Sequence, residues 1–501
     1  MKAFCFTLTL LCVVQSILAI PRPDFAISGS ISGSATVKQA GIDLSTDAAK
    51  VGEKTLTVAS GYTSLVTVSD ALQAIGDSIV SAASDVGNAI RLLSIDNQGT
   101  IDVAFTEVSN KIGTLKTLLA GTFDGKLDSI TTITGSYIKN QFKDAFATTT
   151  TTLNSLTTAL TALKKDVTAA KTAAGNGPIT AAHIRANVKP KSVSDVLSFV
   201  RSLRSNMPLI RFVIDSSLDN VAAADGFVTD LKVDLLAGIA AYGVNLAAYQ
   251  QAVTTQGTDV GPKLTTAVGT SPSMILADIQ SALDAASWYL SSLSTPLGSL
   301  NTALTTEVNT ANTAIAASLS TYAGNVPNLQ QNLQSTLGTT LCVAIKAVSE
   351  VQIANGPYSD FCFSKFSPRV ISQITLTVDA IEVCFEKELT RLVSLEGLAT
   401  MVGQQLAFNT EDLLANMNFC LGITVSDDQA TCFKSLKPYY TAIASKASAL
   451  LTTLKSVVAS EATASYNRLG ACIIASLGVT SISAAEASSG VRTCLTAGPT
   501  A

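Results

Sequence analysis

Apolar residues recur along this chain at steps of three and four, and that spacing limits the fold more than any motif does. Leu72, Ile75, Ile79, Ala83, Val86, Ile90 and Leu93 make one such stripe, with Ser69-Asp70 ahead of it as the expected N-cap. Leu153, Leu156, Leu160, Leu163 and Val167 make a second. The longest runs through Leu276, Ile279, Leu283, Ala286, Leu290, Leu293, Leu297, Leu300, Leu304, Val308, Ala311, Ile315, Leu319 and Tyr322. Pro296 lies inside it and is expected to break or kink the helix near Thr295. Two more stripes follow: Ile374, Val378, Ile381, Phe385, Leu389 and Leu392, then Tyr440, Ile443, Ala447, Leu450, Leu454 and Val457. Each puts its apolar side chains on one face of a helix.

The faces opposite these stripes carry little charge. Only 14% of the 501 residues are charged, while Ser and Thr together make up roughly 22%, well above ordinary usage. Ser and Thr are mediocre helix formers, so such helices need neighbours to persist. The expected fold is therefore all-α, built from antiparallel amphipathic helical bundles with coiled-coil-like packing. Strand signals are few; Leu56 to Val68 alternates weakly and then runs into a helical stripe.

Gly and Pro mark the expected boundaries. Gly175-Asn176-Gly177-Pro178 through Lys189-Pro190-Lys191 reads as a linker, Gly257 to Pro262 as a loop, and Asn355-Gly356-Pro357 as another. The Ser- and Gly-rich stretch from Ile27 to Ala35 reads as an extended arm. Cuts near 185 and 340 then give a leader over 1–19, helical domains over 20–185 and 186–340, and a cysteine-rich helical domain over 341–501. Leu153 to Leu160 resembles Leu297 to Leu304, a short echo that either duplication or biased composition explains.

The leader has the build of a secretory signal: Lys2, an apolar run from Ala3 to Val14, and a cleavage site after Ala19. The reading is a secreted, extracellular protein with no later membrane span and no lipid-anchor tail. Seven cysteines lie beyond the leader: Cys342, Cys362, Cys384, Cys420, Cys432, Cys472 and Cys494. In an oxidising compartment they are disulfide candidates that staple the C-terminal bundle. Three bridges with one cysteine left over can be drawn in 7 × 15 = 105 ways, so the connectivity stays open; local bridges, Cys420 with Cys432 and Cys472 with Cys494, are the arrangement that short spacing allows. One cysteine is left over, either buried or joining two chains as a disulfide-linked dimer. No Asn-x-Ser/Thr sequon occurs; the Thr148 to Thr152 run suits either O-linked sugar or a helix face.

Signs of catalysis are sparse. The single histidine, His183, falls in the expected linker, which leaves no imidazole for a nucleophile and no multi-histidine metal site. No phosphate-binding glycine loop or dinucleotide fingerprint occurs, so no cofactor or metal is expected. A formal charge of −4 argues against nucleic acid as a partner. Asp427-Asp428 and the Glu382, Glu386 and Glu388 group are local carboxylate clusters, and a solvated face explains them better than glycoside hydrolysis. Trp288-Tyr289 sits at the edge of the long stripe and reads as helix packing before ligand lining. Lys189, Lys191, Arg201, Arg204 and Arg211 form a weak basic cluster round Met207-Pro208-Leu209-Ile210, read as an ordinary solvated helix edge before a site for anionic lipid.

The cysteine surroundings carry one likeness. Tyr358-Ser359-Asp360-Phe361-Cys362-Phe363, Val383-Cys384-Phe385, Asn418-Phe419-Cys420 and Ala471-Cys472-Ile473 resemble the cysteine-patterned domain of secreted insect proteins of the tsetse EP type. The resemblance covers about the last 155 residues, and the Glu-Pro repeat tail of the founding protein is absent. It implies an insect gut or gland secretion with no enzymatic site to carry over. The functional expectation is a non-catalytic extracellular protein acting by surface contact, structural, gut-lumenal or immune in type, on an extracellular polymer or a microbial surface. The alternative is a lipid carrier or interfacial surfactant made of the same amphipathic helices.

Overall fold

The structure is a computed structural model that describes residues 24–97, 100–269, 277 and 291–500. The expected leader and Trp288-Tyr289 lie outside the described residues, as does the long stripe from Leu276 to Leu290. Among the described residues the secondary structure is helical, with no strand and a single isolated bridge between Asp24 and Ile27. The fold is all-α, an antiparallel packing of amphipathic helices with its C-terminal region stapled by disulfides.

Twelve helices are named here: α1 Ser34–Ala49, α2 Thr63–Leu93, α3 Ile101–Thr117, α4 Asp124–Thr134, α5 Tyr137–Ala174, α6 Ala181–Asn187, α7 Pro190–Val268, α8 Ser291–Thr302, α9 Val308–Asn325, α10 Gln330–Ile353, α11 Ser359–Leu421 and α12 Ser426–Ala497. They divide into two compact units, each assembled from separate stretches of chain. The first takes Met1–Leu231, Ile345–Ser367 and Ser488–Ala501; the second takes Lys232–Ala344 and Pro368–Ala487. Contiguous domains cut near 185 and 340 do not describe this division. The reason is that four helices, α7, α10, α11 and α12, run on from one unit into the other and supply residues to both.

In the first unit α1 packs on α2, α2 on α3 and α4, and α5 on α3, α4 and α6. The expected stripe of α2 is buried throughout, from Leu72 to Leu93, and so is that of α5 from Leu153 to Val167. The helix start differs: α2 begins at Thr63, so Ser69 lies inside it and donates its hydroxyl to the Leu56 carbonyl. The arm also differs. Phe25, Ala26, Ile27 and Ile31 are buried in the core, because apolar side chains outweigh the loose backbone that Ser and Gly permit. Gly41 and Gly87 set the approach of α1 to α2: a Cβ on Gly87 would lie 2.4 Å from Ser45 Oγ and 2.6 Å from the Gly41 carbonyl.

In the second unit α11 and α12 run antiparallel. Thr377 pairs with Thr480, Cys384 with Cys472, and the Tyr440 hydroxyl with the Leu413 carbonyl, so each step forward along α11 is a step back along α12. Gly257 to Pro262 is helix, not loop. A Cβ on Gly257 would lie 3.3 Å from Leu319 Cβ, and one on Gly261 3.2 Å from Asn312 Cβ. These glycines let α9 come close. The described part of the long stripe is buried at every position from Leu293 to Tyr322. The helix continues through Pro296 and instead widens into a π-turn at Ala303–Glu307. The α12 stripe is rotated slightly from expectation: Ala444, Leu451 and Val458 are buried, whereas Val457 is exposed.

Candidate functional site

The expected linker histidine has a structural job. Thr180 caps α6, and His183 answers it: the His183 N–H donates to Thr180 Oγ1, and the Thr180 N–H donates to His183 Nδ1. Asn355 turns the chain between α10 and α11 at φ 52°, and its side chain bonds Asn220 and Gln141.

All but one of the seven cysteines beyond the leader are paired. Cys420 bonds Cys432 as the short spacing allows, with Cα atoms 5.7 Å apart. The other local pairing is replaced by Cys362–Cys494 and Cys384–Cys472. Cys472 and Cys494 share the single helix α12, where about six turns hold them about 33 Å apart. That is far beyond the reach of a disulfide. Cys342 is the free cysteine and is exposed on α10. Beside the Cys362–Cys494 bridge, Phe363 meets Phe227 edge-on at 5.6 Å, and Phe366 lies against the bare Gly490 backbone.

Of the acidic clusters, only Glu388 is buried, at 3% exposure. Asp427 and Asp428 sit in the first turn of α12, where the helix dipole favours them. Glu382 accepts from Asn245 at the surface. Glu388 accepts from Arg468 at 3.0–3.2 Å, from the Ser465 hydroxyl at 2.6 Å, and from Arg391. Arg468 also pairs with Glu461. Next to this group the Tyr249 and Tyr322 hydroxyls bond each other at 2.5 Å. Burial pushes the Glu388 carboxyl up, but the Arg468 and Ser465 hydrogen bonds and the charges of Arg468 and Arg391 outweigh it, leaving it below its ordinary 4.5. Burial, then the neighbouring Tyr322 and the charge of Glu388, hold the Tyr249 phenol well above the ordinary range. A carboxylate held ionised, with both oxygens already accepting, has no proton to donate as a general acid. The adjoining groove of about 420 Å³ is open and lined by small residues such as Ala317, Ser318 and Ala462, with Tyr322 and Tyr466.

The basic cluster is mostly neutralised. Arg204 pairs with Asp43 and Asp47, Arg211 with Glu53 and Asp215, and Lys191 with Asp195. Among the described residues no group of His, Cys, Asp and Glu is placed to hold a metal ion.

The exposed helix faces hold what sequence reasoning missed. On α11, Leu376, Val383, Met401, Phe408 and Phe419 are 44–72% exposed. Their spacing places all five within about 40° of one another round the helix. Ile474, Val479 and Ile482 on α12 are similarly exposed, as are Val233, Leu236 and Val244 on α7. Two helices, α7 and α12, contain an 18-residue window apolar enough to cross a membrane, with mean hydropathy 1.3 and 1.5. Those windows are only 17% and 28% buried. By length and composition alone these windows pass, although Ser and Thr interrupt the apolar runs, because hydroxyls cost little in hydropathy. Hydroxyls add less polarity than their number suggests. In the Thr run of α5, Thr148, Thr149, Thr151 and Thr152 each donate to the carbonyl four residues back. Thr310 and Thr313 on α9 and Thr400 on α11 do the same. A hydroxyl turned onto its own helix leaves less hydrogen-bonding capacity for the surroundings. Comparison with protein-family models, with curated proteins and with solved structures returned no match to the chain.

Proposed function

We propose that this is a non-catalytic, secreted protein that acts by surface contact, and that the surface it contacts is a lipid or other amphiphilic interface. Five large apolar side chains exposed along one line of α11, with Lys387 and Asp412 among them, carry the reading, because an interfacial helix presents such a row. The low charge and the inward-turned hydroxyls support it, since neither gives a polar polymer much to hold. Three disulfides fit an oxidising, extracellular setting. The insect tsetse EP-type resemblance of the cysteine-rich part belongs with this reading.

The test is flotation of the purified protein with neutral phosphatidylcholine vesicles at low and high salt. Retention independent of salt, and lost when Phe408 and Phe419 are both changed to Ser, is the expected result. Absence from the vesicle fraction, together with a surface tension equal to that of buffer, overturns it. A parallel pull-down on chitin and on microbial cells tests the polar-surface reading, for which the Ser/Thr content is the motive.

A further inference from the structure

A cavity in the first unit has a different character from the helix faces. The loop before α1, the first turn of α1, the helix α6 and the start of α7 border a half-open cavity of about 500 Å³. Ser30, Ser32, Thr36 and Ser194 line it together with an apolar patch: Ile31, Ile184, Val188 and Val193 are buried there, and Leu197 extends the patch along α7. Arg185 stands at its rim, exposed, with no ion-pair partner among the described residues.

The carboxylates of the adjoining segments are committed elsewhere. Asp24 accepts the Ile31 N–H at 2.6 Å, Asp166 accepts the Lys189 N–H and the Ser192 hydroxyl, and Asp195 holds Lys191. The first turn of α1 contains no acidic residue and its Gly33 cap offers no side chain, so nothing there offsets the positive charge. Gly33 is constrained by geometry, with φ 96° and Val193 only 3.0 Å from where a Cβ would stand.

An apolar patch with one uncompensated guanidinium at its edge is complementary to an alkyl chain ending in an anion. We propose that this cavity binds a long-chain carboxylate, the chain against Val188, Val193 and Leu197 and the carboxylate at Arg185. A short acid leaves the apolar patch unused, and a neutral chain leaves Arg185 unused. The proposal is independent of the α11 face, and either can fail without the other.

The full-length secreted protein, stripped of lipid, is titrated calorimetrically with oleate below its self-association limit, with oleyl alcohol, and with acetate. Oleate is expected to bind in one equivalent, oleyl alcohol more weakly, and acetate not at all. Arg185→Gln is expected to weaken oleate about tenfold or more, the size of a lost charge-assisted contact, and to leave oleyl alcohol unchanged. Ser194→Trp, at an exposed position that lines the cavity, is expected to block both long-chain probes. Circular dichroism checks that each variant keeps its helix content. Oleate binding in several loose equivalents, no oleate binding, or an oleate affinity unmoved by either substitution overturns the site. The Phe408/Phe419 variant is expected to bind oleate normally, which separates this result from failure of the vesicle reading.

Discussion

Replacing Glu388 by Gln should be among the most costly single changes in the second unit. The carboxylate is almost wholly buried and receives Arg468, Arg391 and Ser465. Removing one partner of a buried pair costs about 3–5 kcal/mol, because the remaining charge stays desolvated. Here Arg391 is half exposed and can return to water, so its share is below about 1 kcal/mol. Arg468 keeps Glu461 and is itself 36% exposed, so its charge is partly solvated. The expected loss is therefore below that range, about 2 kcal/mol. Arg468→Met alone should cost a similar amount. Glu388→Met with Arg468→Met removes both charges together and should cost only about 1 kcal/mol, less than either single change. The pH dependence has a definite sign. Because the folded carboxyl titrates below 4.5, its stabilisation is complete above 4.5 and is lost as pH falls through the folded value. The gap between wild type and Glu388→Gln should thus be widest at pH 7 and close towards pH 3. Urea unfolding followed by circular dichroism at the two pH values reads this directly. A Glu388→Gln cost under about 1 kcal/mol, additive double-variant costs, or a gap of equal size at pH 3 would refute the reasoning.

Three further outcomes follow from the packing. From chain entropy alone, removing Cys384–Cys472, which closes 88 residues, should cost about 4–5 kcal/mol, against about 3 kcal/mol for Cys420–Cys432, which closes 12, as denaturant unfolding of the paired Ser variants will report. Alkylation of the non-reduced protein followed by peptide mapping should label the Cys342 peptide and leave the six bridged cysteines unlabelled until reduction. Gly87→Ala should destabilise by about 1–3 kcal/mol through collision with Ser45 and Gly41. In contrast Gly113→Ala, with open space around it, should stabilise α3 by roughly 0.5–1 kcal/mol; thermal melts of the two variants should move in opposite directions.

How much of this was legible in the sequence varied with distance along the chain. The α2 and α5 stripes were readable because i, i+3 and i+4 neighbours meet on one helix face whatever lies opposite. Glu388 left a partial trace: it stands on the buried side of α11, between Phe385 and Leu392, where an apolar residue is expected. Leu389 beside it fits the same stripe, and only the packed helix shows that Glu388 is the buried one. Its partner Arg468, eighty positions away, left no trace. Gly257 and Gly261 carried an ambiguous signal, since a glycine that frees a loop and one that admits a neighbouring helix look alike in sequence.

By itself, then, the sequence determined the all-α class and the apolar faces of most helices, both of which depend on residues within a few turns of one another. Tertiary structure alone decided the antiparallel register of α11 on α12. With it came the Cys384–Cys472 bridge, the Glu388–Arg468 pair, the division of four helices between two units, and the cavity beside Arg185. The physical reason is that local spacing fixes which face of a helix is apolar. Which helix covers that face, and at what register, is fixed only when side chains from distant stretches of chain pack together.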